Sequence, residues 1–162
     1  MCVNDHYADR FDLLMAFSEA FNLEYHMLAD AGAPIIQIEE PAIHQSMHAV
    51  KQEITPEQYV TAFNHEVAGL RDKCEVWCHT CWGSPGAQKM FPSTASYKDA
   101  LPYFNQLDID VLTVEGASNG GLDIPLYGSM ISKDKKIAVA AGGFPGFPGN
   151  KYANLFVFFA FP

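Results

Sequence analysis

Helical and strand-like segments alternate along this chain of 162 residues, and no other feature of the sequence limits the fold as strongly. Short apolar runs occur at residues 34–39, 75–81, 109–115 and 136–141, with helical patterns between them. The first three runs begin roughly 35–40 residues apart, enough for a strand, a helix and their connections. Such alternation favours a parallel α/β sheet, because each helix carries the chain back to the start of the next strand.

The first helix is predicted over residues 8–31. Its apolar side chains recur near the 3.6-residue period of an amphipathic helix, and Ser18 and Asn22 interrupt that face. We expect the apolar face to be the packed one. Its members are Phe11, Leu14, Met15, Phe21, Tyr25 and Leu28.

The later elements carry clear end signals. Thr55 is an N-cap with Pro56 at the first helical position, so a second helix is predicted from there to about Leu70. Weaker helical stretches follow at 97–107 and 122–132. The first strand, PIIQIE, is a continuous apolar run that ends in acids, which predicts a strand buried on both faces.

The last part of the chain changes character. From Gly142 onward, glycine and proline come first and a short aromatic strand-like run follows, without a further strand-and-helix repeat. We therefore divide the chain into a domain at 1–141 and an irregular tail at 142–162.

Composition narrows the class of protein. Nineteen acidic against ten basic residues give a formal charge of −9, which repels phosphate backbones and anionic lipids. The amino terminus lacks the basic and apolar regions of a signal peptide, and the longest apolar run, 155–161, is far below the ~20 residues of a membrane-spanning helix. We expect a cytoplasmic protein that binds neither nucleic acid nor membranes.

The stretch VWCHTCWG, residues 76–83, places two thiols and an imidazole near a strand end. In a reducing compartment, cysteines serve more often as metal ligands, nucleophiles or packed thiols than as disulfides. Strand parity puts His79 and Cys81 on one face and Cys78 on the other, so Cys78 should pack as a small hydrophobe. Imidazole and thiolate together suit zinc, and Glu115 at the end of the next strand supplies a third ligand.

Other strand ends carry polar groups as well. Parallel α/β folds form their sites at the carboxyl ends of strands, where Glu39 and Glu40 also lie. A second metal site at His44 and His48, which would share a helical face, is a minor alternative. The glycine-rich segment after Glu115 matches neither a dinucleotide nor a phosphate loop, and a flexible loop explains it.

Three ordered motifs resemble the C-terminal barrel of cobalamin-independent methionine synthase and its shorter relatives. They are GAPIIQIEEPA at 32–42, VWCHTCWG at 76–83 and DVLTVEGASNG at 110–120, each at a predicted strand end. The resemblance covers roughly residues 10–141. It implies a (β/α)8 TIM barrel, of which this chain supplies about four βα units, and a zinc ion that activates a thiol for alkylation.

The resemblance also implies roles for single residues. His79, Cys81 and Glu115 match three zinc ligands of the family, whose fourth ligand is a more distant cysteine. No cysteine follows Cys81 in this chain. Glu39 stands where the family has an aspartate that contacts the amino group of homocysteine, so Glu39, and with it Glu40, is implied to bind the substrate.

The resemblance implies a methyltransferase that uses zinc to transfer a methyl or alkyl group from a small-molecule donor to a homocysteine-like thiol. The alternative is a non-catalytic fragment or degenerate paralogue that associates with another chain through open barrel edges. A third hypothesis is a decarboxylase or hydrolase on a related barrel, which would need neither thiol nor His79 and Cys81.

Overall fold

A single sheet with helices packed against it forms the fold in this computed structural model, which describes residues 3–48, 53–82, 96–116 and 121–140 and the backbone of 156–159. The strands are β1 (Ile35–Glu39), β2 (Glu75–Thr80), β3 (Val111–Glu115), β4 (Lys136–Ala140) and β5 (Phe156–Phe159). The helices are α1 (Arg10–Asp30), α2 (Ala42–Ser46), α3 (Pro56–Glu66), α4 (Leu101–Phe104) and α5 (Ile124–Met130). A 3-10 turn at Leu70–Asp72 precedes β2.

The four strands predicted from the sequence lie side by side in chain order. β1 to β4 are all parallel, and β5 pairs antiparallel with β4 at the end of the sheet. The predicted α/β class is therefore confirmed, as four parallel strands of a partial TIM-type barrel. Within the predicted irregular tail, residues 156–159 form a strand, and the remaining tail residues lie outside the described ones. The division at residue 141 stays a prediction.

The core fills the space between the outer face of the sheet and the helices. Ile38, Cys78 and Leu112 are neighbours across three strands, and all are buried. The predicted burial of β1 on both faces is wrong, because Ile35 is 47% exposed and only alternate residues of the strand are buried. β3, by contrast, is buried along its whole length. β1 has a single partner strand within the described residues, and its inner face is open there.

The first helix forms as predicted and packs through the face that Ser18 and Asn22 interrupt, although Phe21 and Leu28 on that face stay exposed. Ser18 donates a hydrogen bond to the Ala62 carbonyl, and Asn22 Nδ2 donates to the Glu66 and Ala68 carbonyls at 3.0 and 3.1 Å. Ser18 is 2% exposed, whereas Phe21 is 40% exposed. Ser18 and Asn22 therefore join α1 to α3, because they bond backbone carbonyls of that helix and of the turn after it.

The other helices begin as their end signals indicate. Thr55 accepts a hydrogen bond from the Gln58 N–H, and the Gln58 side chain accepts one from the Thr55 N–H, so α3 has a reciprocal cap with Pro56 behind it. The weaker stretches at 97–107 and 122–132 contain the short helices α4 and α5. In the described ranges, no helix has both the length and the apolar character to cross a membrane.

Candidate functional site

Glu39 and His79 face each other at the carboxyl edge of the sheet. They are register partners in β1 and β2, so both side chains lie on the inner face of the sheet. Glu39 Oε2 accepts a hydrogen bond from His79 Nδ1, and the other oxygen, Oε1, accepts one from Gln37 Nε2 at 3.2 Å. The His79 side chain is 24% exposed and that of Glu39 is 61% exposed. An imidazole and a carboxylate are thus paired at an accessible position.

The same row of the sheet continues into β3. Thr113 is the register partner of His79 and is 2% exposed. Its hydroxyl is buried and forms no hydrogen bond within the part of the chain that the structure describes. Thr113 places a hydroxyl beside the imidazole, and no motif in the sequence indicates this neighbour.

The three described cysteines occupy the two environments that strand parity predicts. Cys78 is fully buried in the core, and this burial raises the pKa of its thiol well above the usual value. Cys74 is also buried on the outer side, and its pKa is raised for the same reason. Cys81, one residue beyond β2, is half-buried. Among these three, Cys81 is the thiol that could bind an ion.

Glu115 lies at the end of β3, 4% exposed, and its Oε2 accepts a hydrogen bond from the Trp82 N–H at 3.1 Å. This bond ties the carboxylate to the residue directly after Cys81. Gly116 follows, and a Cβ there would lie 2.5 Å from Val139 Cγ1, so the close passage of β3 beside β4 at this point requires glycine. The segment at 117–120, predicted as a flexible loop, lies outside the described residues.

The predicted ligands therefore come to one edge of the sheet from two adjacent strands. An imidazole nitrogen, a thiol and a carboxylate are the donor types that zinc prefers, so the donor set fits that ion. Within the described residues, however, no three His, Cys, Asp or Glu side chains are close enough together to hold a metal. The bond from Trp82 N–H to Glu115 is one contact that a metal-bound arrangement would have to exchange.

Glu40 points away from this site. Its Oε1 accepts a hydrogen bond from the Ile43 N–H at 3.0 Å and so caps the first turn of α2. Burial raises the pKa of Glu40 to about 7, although bonds from backbone N–H groups oppose the shift. The carboxylate contributes to the local fold of the segment after β1.

The comparisons with known proteins agree with the resemblance seen in the motifs. A family model described as the catalytic domain of cobalamin-independent synthase matches residues 3–139. The chain belongs to this family. The match includes every predicted site residue.

Individual relatives match about two thirds of the chain. The methionine synthase of Saccharolobus solfataricus is 33% identical over 107 residues, which are 66% of this chain and 26% of that protein. The methionine synthase of Sulfurisphaera tokodaii is 30% identical over 111 residues, or 68% of this chain and 27% of that protein. This family member thus spans about a quarter of the length of these curated relatives.

A solved structure shows the same fold. It is a B12-independent methionine synthase from a Shewanella species in complex with selenomethionine, similar with a TM-score of 0.68 and 26% sequence identity. The match covers 85% of this chain and 39% of the other. The sheet of this family member therefore corresponds to part of a TIM barrel.

Behind the strand ends lies His44, a buried histidine that the sequence places only in a minor alternative metal site with His48. His44 is 1% exposed, its Nδ1 forms a 3.0 Å hydrogen bond with Thr80 Oγ1, and its ring packs edge-on against Trp82. Burial, followed by the charge of His48, lowers the pKa of His44 to about 4. No described three-ligand metal cluster includes His44 or His48. The alternation of side chains along β2 was the sequence signal available for this contact, because it places Thr80, the partner of His44, on the outer face of the sheet.

Tyr97 is a second buried group near these strand ends. Its backbone N–H donates to Asp123 Oδ2 at 2.8 Å, and its ring packs against His44 and Trp82. Burial raises the pKa of its phenol well above the usual value, and the nearby Glu115 adds to the shift. Tyr97 therefore stays a neutral phenol next to the predicted ligands. Nothing in the local sequence pattern distinguishes it from an ordinary aromatic residue.

Proposed function

We propose that this chain carries the thiol-activating part of a zinc-dependent alkyl transfer, in which a methyl or alkyl group passes from a small-molecule donor to a homocysteine-like thiol. Membership of the cobalamin-independent synthase family supports this class of reaction. Because the chain spans about a quarter of the curated relatives, the activity of the whole enzyme is itself part of the proposal.

One observation carries the proposal most directly. His79 lies on the inner side of β2, Cys81 comes one residue after the end of that strand, and Glu115 ends the adjacent strand and contacts the residue after Cys81. These three residues would hold zinc, with the substrate thiol in the open position. Bound zinc would lower the pKa of that thiol and present it as the thiolate nucleophile.

The chain's own groups would support the reaction in two ways. The neutral side chains of Tyr97 and Trp82 would line the buried side of the site and exclude water behind Cys81. Glu39 would orient the amine of the substrate, whereas Glu40, which caps α2, would not reach it. In the transfer, the thiol loses its proton to solvent, a sulfur–carbon bond forms, and the bond between the alkyl carbon and its donor breaks.

The name of the structural neighbour is consistent with this substrate class. That protein was solved with selenomethionine, a methylated amino acid in which selenium replaces sulfur. A site of the same family in this chain would accept a related amino acid. We propose a cytoplasmic location for the reaction on the sequence grounds given above.

The test is the amount of zinc that the purified chain binds. Under reducing conditions we expect about one zinc per chain, lost in the double variant His79→Ala/Cys81→Ser. The control is His6→Ala/Cys74→Ser, which removes the same two residue types, since His6 is exposed and Cys74 faces the core. The absence of zinc from a folded, monodisperse chain would contradict the proposal.

A non-catalytic role is the second candidate, and it is favoured by the inner face and outer edge of β1, which are open within the part of the chain that the structure describes. Such a chain would act by associating with another chain that completes the sheet. Its size in solution tests this directly. A monomeric chain that binds zinc supports the enzyme, whereas a zinc-free oligomer supports the non-catalytic role.

A further inference from the structure

We infer that Glu39 is a positioning residue for His79: it holds the ring Nδ1–H so that Nε2 is the nitrogen presented to the metal. This role is additional to any contact of Glu39 with the substrate. Its effect on metal binding rests on the proposed zinc function, although the tautomer of the ring can be measured without metal.

The register of β1 and β2 brings the side chains of Glu39 and His79 into contact. Glu39 and His79 are direct register partners, so their side chains leave the sheet on the same face. The Glu39 carboxylate reaches Nδ1 with Oε2, and Gln37, on the same face of β1, donates to Oε1 at 3.2 Å. Gln37 therefore restrains the carboxylate that restrains the imidazole.

The chemistry of the imidazole turns this contact into a choice between its two nitrogens. A neutral histidine carries one N–H, and a carboxylate can only accept a hydrogen bond, so the proton belongs on Nδ1 when Glu39 is ionised. The lone pair is then on Nε2. Carboxylate partners of metal-binding histidines also make the ring a stronger donor, and their loss typically weakens metal binding 10- to 100-fold.

The length of the side chain at position 39 matters for this role. Glu39 belongs to the strand next to β2, and its carboxylate spans the distance between two neighbouring strands. An aspartate would be one methylene shorter and would leave the carboxylate farther from Nδ1. Glu39→Asp is therefore a matched variant that keeps the charge and removes the reach.

The first measurement uses the metal-free chain. Two-bond nitrogen–proton NMR spectra of the histidine-labelled protein, recorded near pH 8 so that ordinary histidines are neutral, report which nitrogen carries the proton. We expect the His79 signals, assigned by their loss in His79→Gln, to show the Nδ1–H form. In Glu39→Ala we expect a mixture or the Nε2–H form. An unchanged tautomer in Glu39→Ala would overturn the inference.

The second measurement is zinc affinity by competition with a chromogenic chelator. We expect Glu39→Ala to bind zinc roughly 10- to 100-fold more weakly, with Glu39→Asp close to it and Glu39→Gln between them and the wild type, because the amide oxygen still accepts a hydrogen bond. Gln37→Ala is the control for a general disturbance of β1 and should change the affinity much less.

The outcomes separate this inference from the proposed function. If the wild-type chain binds no zinc, the proposed function fails, and the tautomer measurement alone decides the role of Glu39. If zinc binds equally well to Glu39→Ala and the wild type, Glu39 does not position the ligand. In that case a rise in KM confined to thiols that carry an amino group would assign Glu39 to the substrate alone.

Discussion

The two ends of the sheet hold their charged residues in opposite ways. At the amino end, Glu75 bonds Lys136 and Trp77 Nε1, and these bonds, led by the one from Lys136, lower the pKa of its carboxyl group. At the carboxyl end, Glu40 has backbone N–H groups as partners, and burial raises its pKa to about 7. The same residue type is thus stabilised as an anion by a cation at one end, whereas burial favours its protonated form at the other.

The difference separates stability from chemistry. At the amino end, Arg71 bridges Asp108 and Asp110, and Asp110 also accepts a hydrogen bond from the Val76 N–H. These contacts join the starts of β2 and β3. At the carboxyl end, carboxylates bond an imidazole or backbone N–H groups, and a bound ligand could exchange these contacts. TIM-type folds use their two ends in this way.

Removal of the Asp110 carboxylate should give the largest effect and should be confined to stability. Asp110→Ala leaves Arg71 with one acid and the Val76 N–H without its 2.8 Å acceptor, so we expect a loss of about 2–3 kcal/mol in the free energy of unfolding. Zinc affinity should be unchanged. Urea denaturation and chelator competition measure the two quantities.

The matched control for this variant is Lys73→Ala, which breaks an exposed ion pair with Asp30 at the same end of the sheet. It should cost less than about 0.5 kcal/mol. A comparable loss of zinc affinity in Asp110→Ala would show that the two ends are not independent.

The pH dependence of stability should reveal two opposed groups near the carboxyl edge. The pKa of Glu40 rises on folding from 4.5 to about 7, so its contribution is lost as pH increases through that range. The pKa of His44 falls from 6.5 to about 4, so its contribution is lost as pH decreases through that range. In the wild type the two effects oppose each other between about pH 4.5 and 6.5.

Single variants should separate these contributions. In Glu40→Gln, the free energy of unfolding should rise as pH increases to about 6.5. In His44→Gln, it should fall as pH increases to about 7. Each change should be on the order of 1–3 kcal/mol. Glu66, whose pKa burial also raises, adds a falling contribution to both variants. Denaturation at a series of pH values measures the slopes, and identical slopes in both variants would contradict the prediction.

Thiol reactivity should differ clearly between Cys78 in β2 and Cys81 just after the strand, and its effect on stability should be the smallest of those described. In a Cys2→Ser background, we expect iodoacetamide to modify half-buried Cys81 at least about tenfold faster than Cys78, whose buried thiol has a raised pKa. Zinc should protect Cys81. Mass spectrometry after timed labelling gives both rates, and Cys78→Ala is the control for the slow site.

The sequence predicted those parts of the molecule that depend on local pattern. The alternation of helices and strands predicts the order of β1 to β4, and parity within one strand separates Cys78 from Cys81. The contacts of Ser18 and Asn22 on the packed face of α1 were not predicted, because their partners lie 44 residues away in the chain. No local period contains that information.

The site shows the same limit. The positions of the predicted ligands at one edge follow from the direction of the strands, but the contact between Glu39 and His79 depends on register between two strands. The bond from Trp82 N–H to Glu115 and the place of His44 behind Thr80 are also tertiary contacts. Side-chain roles that depend on a partner strand require the structure.

The antiparallel strand β5 has a consequence for any attempt to rebuild a complete barrel around this chain. A parallel strand added next to β4 would need the same backbone donors and acceptors that now pair with residues 156–159. A complementing half supplied in trans would therefore compete with β5 at that edge, whereas within the described residues β1 offers an edge with no competing strand. Deletion of residues 142–162 would remove β5, so that an added strand could pair with β4 as well as with β1.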